Sequence, residues 1–195
     1  ELMVNGVLSR RNLSTLLRRA TAVVVGPGLG LESWGRDLFS RLLEIELPLV
    51  IDADGLNLLS EQPTTAGNWI LTPHPGEAAR LLAGSTREVQ QDRLAAVRQI
   101  QERYGGVCTL KGAGTLIAAA DGCLSICNRG NPGMASAGMG DLLAGVIGSL
   151  LAQGLDLGEA AKSGVWLHSS AADLAATDGE RGMIASDLLP GLRRL

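Results

Sequence analysis

The composition of this 195-residue chain is that of a folded protein with a substantial apolar core. Hydrophobic residues make up 46% of the sequence and charged residues 19%, which excludes an intrinsically disordered chain. The formal net charge is −3 and aromatic residues are only 3%, so neither a basic surface nor stacking platforms for a nucleic acid are expected. We therefore interpret residues 1–195 as one domain that does not bind nucleic acid.

No part of the sequence has the pattern of a membrane span or a signal peptide. The longest apolar stretch, near Leu142–Ala152, is interrupted by glycine and serine and is too short to cross a bilayer. The three cysteines, Cys108, Cys123 and Cys127, are odd in number and scattered, which is typical of reduced thiols. These features predict a cytoplasmic protein with no membrane partner.

The first half of the chain alternates predicted helices with short apolar strands. The run Ala22–Val25 ends in the glycine loop Gly26–Gly30, which indicates a buried strand followed by a tight turn. The other predicted strands are Leu49–Asp52, Trp69–Thr72 and Val107–Leu110. The predicted helices are Leu13–Ala20, Glu32–Glu44 and the amphipathic Glu88–Tyr104, in which Leu94, Val97, Ile100 and Tyr104 share one face.

The pattern changes after the fourth strand. Thr115–Ala119 and Leu124–Cys127 flank Asp121-Gly122, a dipeptide typical of a hairpin turn. The remaining predicted helices run from about Asp141 to Gln153, from Asp156 to Thr177, and over a short last segment capped by Ser186. The whole pattern predicts an α/β fold in which helices cover both faces of a mostly parallel sheet.

Glycine, proline and polar residues are concentrated in loops that directly follow the predicted strands. Ligands of open parallel sheets bind at the carboxyl ends of the strands, so we expect these loops to form the walls of one pocket. They are Gly26–Gly30, Asp52–Asn57, Thr72–Glu77, Lys111–Thr115 and Asn128–Asp141.

The last of these loops combines an anion-binding pattern with a carboxylate. Its glycine-rich part, Asn131–Asp141, leads into a helix, so backbone amides and the positive end of the helix dipole are available to phosphate. No Gly-Lys-Ser/Thr follows, and Leu31 replaces the last glycine of a dinucleotide-binding fingerprint in the first loop. Asp141 fits a general base for phosphoryl transfer, with helix capping by Asp141 and close packing of the glycines as structural alternatives.

Three further polar residues are candidates, each with a structural alternative. Lys111, one of only two lysines, can bind phosphate as a point charge or can be a solvated turn residue. His74 stands between two prolines that stiffen its loop, and either binds a ligand or caps a helix. Glu77 lies where it can pair with a helix dipole or reach a water bound to Mg²⁺.

The remaining polar candidates point more weakly to function. Asp52 and Asp54 bracket a predicted turn, and such pairs often bond loop backbone, although metal or substrate contact is the alternative. His168 lies among alanines in the middle of a predicted helix, and we interpret it as structural.

Five segments in this order resemble the ADP/ATP-dependent NAD(P)H-hydrate dehydratases, which form the carboxy-terminal domain of bifunctional nicotinamide nucleotide repair proteins. The resemblance extends from about Val23 to Leu189, and the order of five motifs makes it specific. The segments are Val25–Gly30, Asp52–Asn57, Thr72–Glu77, Lys111–Thr115 and Asn131–Asp141.

The resemblance implies a ribokinase-like three-layer sandwich and a repair reaction. In this family, the S form of NADH or NADPH hydrate loses water at the expense of ADP or ATP, with Mg²⁺. The expected route phosphorylates the hydrate hydroxyl and then eliminates phosphate. The resemblance also suggests a homo-oligomer, specifically a tetramer.

The resemblance assigns roles to residues that match the family's motifs. Asp141 corresponds to the catalytic base, which also contacts the hydrate. The nucleotide-binding positions implied are Lys111, Gly112, Ala113, Gly114, Thr115, Gly138 and Gly140, of which the last two belong to the anion hole. The hydrate-binding positions implied are Gly26, Gly28, Gly30 and His74, and the metal position is Glu77.

The chain departs from the family pattern at its beginning. Family members usually have an earlier strand–loop–helix region with a glycine-rich turn and an alanine that contacts the hydrate, and this sequence opens past that region. The epimerase domain of the bifunctional forms is also absent. We therefore expect an incomplete domain with reduced activity.

Two other functions fit the same residues. One is a ribokinase-like kinase of a vitamin-precursor alcohol, of the hydroxyethylthiazole or hydroxymethylpyrimidine type, which would use the same anion hole and base. The other is an inactive nucleotide-binding fragment. The histidine loop Thr72–Glu77 favours the dehydratase, because a dinucleotide hydrate needs an extended site. The preference for ADP or ATP, and for NADH or NADPH hydrate, stays open.

Overall fold

The computed structural model describes residues 3–195, which form one six-stranded sheet with helices on both faces. The strands are β1 (Val23–Val25), β2 (Leu49–Ile51), β3 (Trp69–Leu71), β4 (Val107–Leu110), β5 (Thr115–Ala118) and β6 (Leu124–Cys127). The helices are α1 (Arg10–Leu17), α2 (Ser33–Leu42), α3 (Ala53–Glu61), α4 (Pro75–Leu81), α5 (Thr86–Gln91), α6 (Arg93–Tyr104), α7 (Met139–Ala152), α8 (Leu157–Ala175) and α9 (Leu189–Leu192). Short 3-10 helices cover Pro132–Met134, Ala176–Asp178 and Ala185–Leu188.

The strands lie in the sheet in their chain order. Strands β1 to β4 are parallel, with Val25 opposite Ile51, Ile51 opposite Leu71, and Leu71 opposite Cys108. The hairpin β5–β6 continues the sheet in antiparallel pairing from β4. The mostly parallel sheet predicted from the sequence is confirmed.

Alternate residues of the strands enter two different cores. Leu49 and Ile51 of β2 pack in the core formed with helices α1 to α6, whereas Val50 packs in a second core with α7 and α8. Consecutive parallel strands joined by right-handed crossovers place their helices on one face of the sheet. The chain crosses to the other face only after the hairpin, and the result is three layers.

One predicted helix differs from the structure because of a single side chain. The predicted helix over residues 88–104 is broken at Asp92, which ends α5 and caps α6 by accepting from the amide of Ala95 at 2.9 Å. Leu94 then turns outward and is exposed, while Val97 remains buried. A break of this kind is invisible to helical periodicity, because the apolar spacing continues across it.

Other boundaries were also wrong. The segment after Asp52, predicted as a loop, begins α3 at once. The first helix begins at Arg10, where Ser9 caps it, and not at Leu13. Val24, in a strand predicted to be buried, is exposed because β1 lies at the edge of the sheet. Ser186 lies inside a 3-10 helix, where the Asp187 side chain, and not Ser186, bonds the amide of Ile184.

No helix within residues 3–195 is long and apolar enough to cross a membrane. Cys108, Cys123 and Cys127 all have free thiols.

The layer formed by α7 and α8 depends on close contact at glycine. A Cβ on Gly164 of α8 would lie 2.6 Å from Cγ1 of Ile147, which is fully buried in α7. Interiors packed this tightly have no room for an added methyl group without displacement of a neighbour. Gly145 on α7, in contrast, has open space around the position of a Cβ.

We expect Gly164→Ala to lower the free energy of unfolding by about 1–3 kcal/mol, because the new methyl group displaces Ile147. Gly145→Ala, the matched control, should raise the same quantity by about 0.5–1 kcal/mol through helix propensity. Urea denaturation of both variants measures the difference. Equal effects of the two substitutions would contradict the packing argument.

His168 is buried against α7 and is 4% exposed. Its Nε2 atom has no hydrogen-bond partner among the described residues. Burial lowers the pKa of His168 from 6.5 to about 4, an effect that the nearby Met139 backbone only partly opposes. The imidazole is therefore neutral in the folded protein at neutral pH.

The buried imidazole predicts a loss of stability in acid. Between about pH 6.5 and pH 4 the unfolded chain binds a proton at His168 that the folded chain does not. The free energy of unfolding should therefore fall as pH falls through this range, by a contribution on the order of 3 kcal/mol. Urea denaturation at several pH values tests this. The free energy of unfolding of His168→Gln should depend less steeply on pH in this range than that of the wild type. Parallel slopes would overturn it.

Candidate active site

A cavity of about 780 Å³ opens where strands β2 to β4 end and α7 begins. Its volume suits a ligand of nucleotide size. Three of the five predicted loops meet there, together with the first residues after Asp52 and one face of α8. The lining residues include Asp52, Ala53, His74, Glu77, Lys111 to Thr115, Asn128 to Pro132, Met134 to Ser136, Met139 to Asp141, Leu143, Val165, His168 and Ser169.

A buried ion pair lies at the base of the cavity. Lys111 Nζ donates to Asp52 Oδ1 at 2.6 Å and lies 3.8 Å from Glu77 Oε2. Asp52 is only 1% exposed, and Glu77 is also buried. The Lys111 amide also donates to the Pro73 carbonyl at 2.8 Å, so the backbone of this residue is fixed independently of its ammonium group. A buried carboxylate needs such a partner, because loss of hydration is otherwise uncompensated.

His74 caps helix α4 and faces the same cavity. Its Nδ1 atom accepts from the amides of Gly76 at 2.9 Å and Glu77 at 3.4 Å. Because Nδ1 is an acceptor, the proton of the neutral ring is assigned to Nε2. The side chain is 51% exposed, so this N–H is accessible to a ligand. Capping and ligand binding, the two alternatives from the sequence, are therefore compatible.

Glu77 offers one carboxylate oxygen to the site. Oε2 accepts from the His74 amide at 2.7 Å, completing a capping box, while Oε1 lies 3.5 Å from His74 Nε2. Residues 3–195 contain no group of three or more acidic, histidine or cysteine side chains placed to hold a metal. The donor set fits Mg²⁺ held mainly by waters and phosphate oxygens, with a single protein carboxylate.

Helix α7 begins in the cavity wall without a side-chain cap. Gly138 is the N-cap, has φ +84° and provides no side-chain acceptor. The amides of the first turn are left for an external partner, and they carry the positive end of the helix dipole. Asp141 lies in this first turn and is exposed to the cavity. The uncapped helix start and the carboxylate of Asp141 are thus adjacent at the cavity.

Gly140 allows α7 to approach the ion pair closely. A Cβ at this position would lie 3.2 Å from Lys111 Nζ and 3.5 Å from Asp52 Oδ2. Any side chain here would push against the lysine. Glycine therefore brings the amino end of the helix and the ammonium group together.

The turn after β4 presents unpaired amides. The amides of Gly112, Ala113 and Gly114 donate to no protein group within residues 3–195. All three residues line the cavity. Consecutive free amides of this kind form a concave anion site.

The first glycine loop lies beside the cavity and does not line it. Gly26 has φ +125°, and a Cβ there would lie 1.7 Å from the Asp52 carbonyl oxygen, so close backbone packing requires this glycine. The Gly30 amide donates to Asp54 Oδ2 at 2.8 Å. Gly26, Gly28 and Gly30, and Gly138 as well, are absent from the described cavity wall.

Two supporting residues escaped the sequence analysis. Asp173 of α8 accepts from the Gly130 amide at 3.1 Å and from Asn131 Nδ2 at 3.2 Å, which fixes the loop before α7. Arg93 of α6 donates to the carbonyls of the turn after β4. Both contacts join distant parts of the chain, and no motif spacing indicates them.

Comparisons with known proteins agree with this geometry. The family model described as NAD(P)H-hydrate dehydratase matches residues 1–194. A bifunctional NAD(P)H-hydrate repair enzyme of Coxiella burnetii is 54% identical over the whole chain, which spans 40% of that protein. An ADP-dependent (S)-NAD(P)H-hydrate dehydratase of Neisseria meningitidis is 45% identical over 89% of the chain, which spans 62% of it.

Solved structures have the same fold. The ADP/ATP-dependent NAD(P)H-hydrate dehydratase of Bacillus subtilis, crystallised with ATP and Mg²⁺, superimposes with a TM-score of 0.81 at 30% identity. That alignment covers 89% of this chain and 63% of the Bacillus protein. A ribokinase-like superfamily protein of Enterococcus faecalis gives a TM-score of 0.83 at 29% identity over 93% and 65% of the two chains.

The ribokinase-like three-layer fold and the family predicted from five ordered motifs are both confirmed. With a family model matched over 194 residues and a cavity that gathers the predicted base, lysine and histidine, the chain belongs to the NAD(P)H-hydrate dehydratase family.

Proposed function

We propose that residues 1–195 form a domain that dehydrates the S form of NADH or NADPH hydrate with ADP or ATP as co-substrate. One observation supports this most strongly: Asp141 and the uncapped amino end of α7 share a cavity with Lys111 and the free amides of its turn. Phosphoryl transfer needs this combination of a base, phosphate-binding amides and a cation.

The chemistry explains why a nucleotide is consumed. A hydroxyl group is a poor leaving group, so direct loss of water is slow. In the proposed route Asp141 takes the proton of the hydrate hydroxyl. At the same time the hydroxyl oxygen attacks the terminal phosphorus of ADP or ATP, and AMP or ADP is released. Phosphate then leaves with the electron pair of the C–O bond, and the neighbouring carbon loses a proton, which forms the C=C bond of NADH or NADPH.

The remaining residues bind and orient the two substrates. The amides of Gly140 and of residues 112–115 bind the phosphates, with Gly138 setting the start of the helix and Lys111 adding a positive charge. His74 donates from Nε2 to the hydrate. The loop Gly26–Gly30 contacts the hydrate at the edge of the cavity.

Mg²⁺, when bound, neutralises charge on the phosphates. In our proposal Glu77 would help to hold this ion through a water, since its Oε2 atom is already bonded to the His74 amide and its other oxygen is not. The Bacillus relative crystallised with ATP and Mg²⁺ supports this choice of ion.

We further propose a cytoplasmic homo-oligomer, in the form of a tetramer. Free thiols support the location. Ile126 on the edge strand β6 and Trp166 on α8 support the assembly, because they are 62% and 46% exposed and line the same groove.

The base assignment predicts the behaviour of Asp141→Asn. We expect kcat to fall by about 10²–10⁴-fold, because the amide cannot take the hydroxyl proton. NADH regenerated from its hydrate with ADP or ATP and Mg²⁺ is followed by absorbance. Glu102→Gln, an exposed change on α6, is the control and should retain activity.

Three results would contradict this proposal. Full turnover by Asp141→Asn would exclude Asp141 as the base. Phosphorylation of a hydroxyethylthiazole or hydroxymethylpyrimidine alcohol, with no action on the hydrate, would identify a vitamin-precursor kinase instead. Nucleotide binding with neither reaction would identify an inactive binding fragment.

The ion pair makes a separate prediction. Lys111→Met should lower the free energy of unfolding by about 3–5 kcal/mol, because Asp52 is left charged and buried without a partner. Adding Asp52→Asn should restore much of this stability without restoring nucleotide affinity. Denaturation and calorimetry measure the two quantities separately. If the double variant regained both, the lysine would have no role beyond the pair.

A further inference from the structure

The four consecutive carbonyls of residues 110–113, at the end of β4 and in the turn after it, all accept hydrogen bonds from side chains. Arg93 donates from one terminal nitrogen to the Ala113 carbonyl at 2.5 Å, and from the other to Leu110 at 3.3 Å and Lys111 at 3.4 Å. The Gly112 carbonyl accepts from the hydroxyl of Thr115 at 3.1 Å. Among the described residues, the amides of residues 112–114 have no protein acceptor, and these residues line the cavity.

Three of these four carbonyl contacts come from Arg93, a residue outside the Lys111–Thr115 motif. Arg93 is the first residue of α6, and Asp92 fixes that helix end by capping it. The guanidinium approaches so closely that a Cβ on Gly112, where φ is +143°, would lie 2.9 Å from a terminal nitrogen. Within residues 3–195 the buried Nε of Arg93 has no hydrogen-bond partner, so the hydrogen bonds of this guanidinium are all made by its two terminal nitrogens.

We propose that Arg93 is a positioning residue for nucleotide binding: it holds the Lys111 and Ala113 carbonyls away from the cavity, so that the amides of the same two peptide units, those of Gly112 and Gly114, face the phosphates. The Ala113 amide between them belongs to the peptide unit whose carbonyl, that of Gly112, accepts from Thr115. This inference rests on the proposed nucleotide site. Without the guanidinium, peptide units of this glycine-rich turn are free to rotate and place carbonyl oxygens toward a phosphate, where they repel it.

The geometry requires arginine and not a positive charge alone. A guanidinium donates in several directions from a planar group and can bond three carbonyls at once. A lysine ammonium at the end of a flexible chain cannot hold the same three positions. Burial lowers the pKa of Arg93 below its ordinary value, and the group remains charged at neutral pH because arginine keeps its proton in proteins.

Arg93→Lys, Arg93→Gln and Arg93→Met test the proposal, with Arg98→Met, an exposed arginine on the same helix, as the control. Calorimetry gives the Kd of ADP, ATP and inorganic pyrophosphate, and steady-state kinetics give KM for nucleotide and for hydrate. We expect all three Arg93 variants to weaken binding of the three phosphate ligands by about 10- to 100-fold, as displacement of a site by an ångström does. The KM for hydrate should stay within about two-fold of wild type, since only the nucleotide turn is disturbed.

A second comparison separates positioning from folding. Gly112→Ala introduces a methyl group against the Arg93 guanidinium and should weaken phosphate binding in the wild type. The double variant with Arg93→Met should lose much less phosphate affinity than the sum of the two single losses in binding free energy, because both changes disturb the same turn. Thermal unfolding of each variant identifies any that fail to fold, and Arg93→Gln, which keeps an amide donor, provides the mildest case.

Four outcomes with the variants would overturn the proposal. These are wild-type affinity in Arg93→Met, wild-type affinity in Arg93→Lys, an equal rise in KM for hydrate and nucleotide, and full additivity with Gly112→Ala. A wild-type protein that binds none of the three phosphate ligands would also overturn it. A wild-type protein that binds ADP but does not dehydrate the hydrate would reject the proposed reaction and leave the role of Arg93 intact.

Discussion

The ion pair between Lys111 and Asp52 determines how the site is assembled. It joins the ends of β4 and β2, and the Lys111 amide also bonds the loop after β3, so one residue connects three strand ends. Removing both charges from water is costly, and a buried pair contributes little to stability compared with an apolar pair of similar shape. The structure therefore retains a cation at the base of the cavity at some cost, which is understandable if that cation binds phosphate.

Around this pair, the groups that would contact phosphate belong mainly to the backbone, and the side chains control which backbone groups are available. The amino end of α7 lacks a side-chain cap, and the turn after β4 has free amides. Asp173 fixes the loop before α7 and Arg93 occupies the carbonyls of the turn. Backbone amides held in this way need no rearrangement when charge develops, which is the general requirement for electrostatic catalysis.

The sequence predicted the parts of this arrangement that depend on local pattern. Short apolar strands, glycine loops behind them and the order of five motifs were sufficient for the sheet, the two helical layers and a shared cavity, although Gly26–Gly30, predicted as one of its walls, does not line it. It did not predict the break at Asp92, because one capping side chain overrides an apolar spacing that continues through it. Nor could it predict Asp173 and Arg93, whose partners lie 42 and 20 positions away and are brought near only by the folded sheet.

The electrostatics of the cavity also explain why the fold needs the negative charge of Asp52 at this position. The ammonium of Lys111 lies beside Gly140, at the positive end of the α7 dipole, so two positive centres are held together by the fold. Without an anion they repel each other. In the protein described here, Asp52 supplies the negative charge, bonded to Lys111 through Oδ1 with Oδ2 toward Gly140. A phosphate entering the cavity adds a second anion, and we expect Lys111, unlike the fixed amides, to shift between the two because its side chain is flexible.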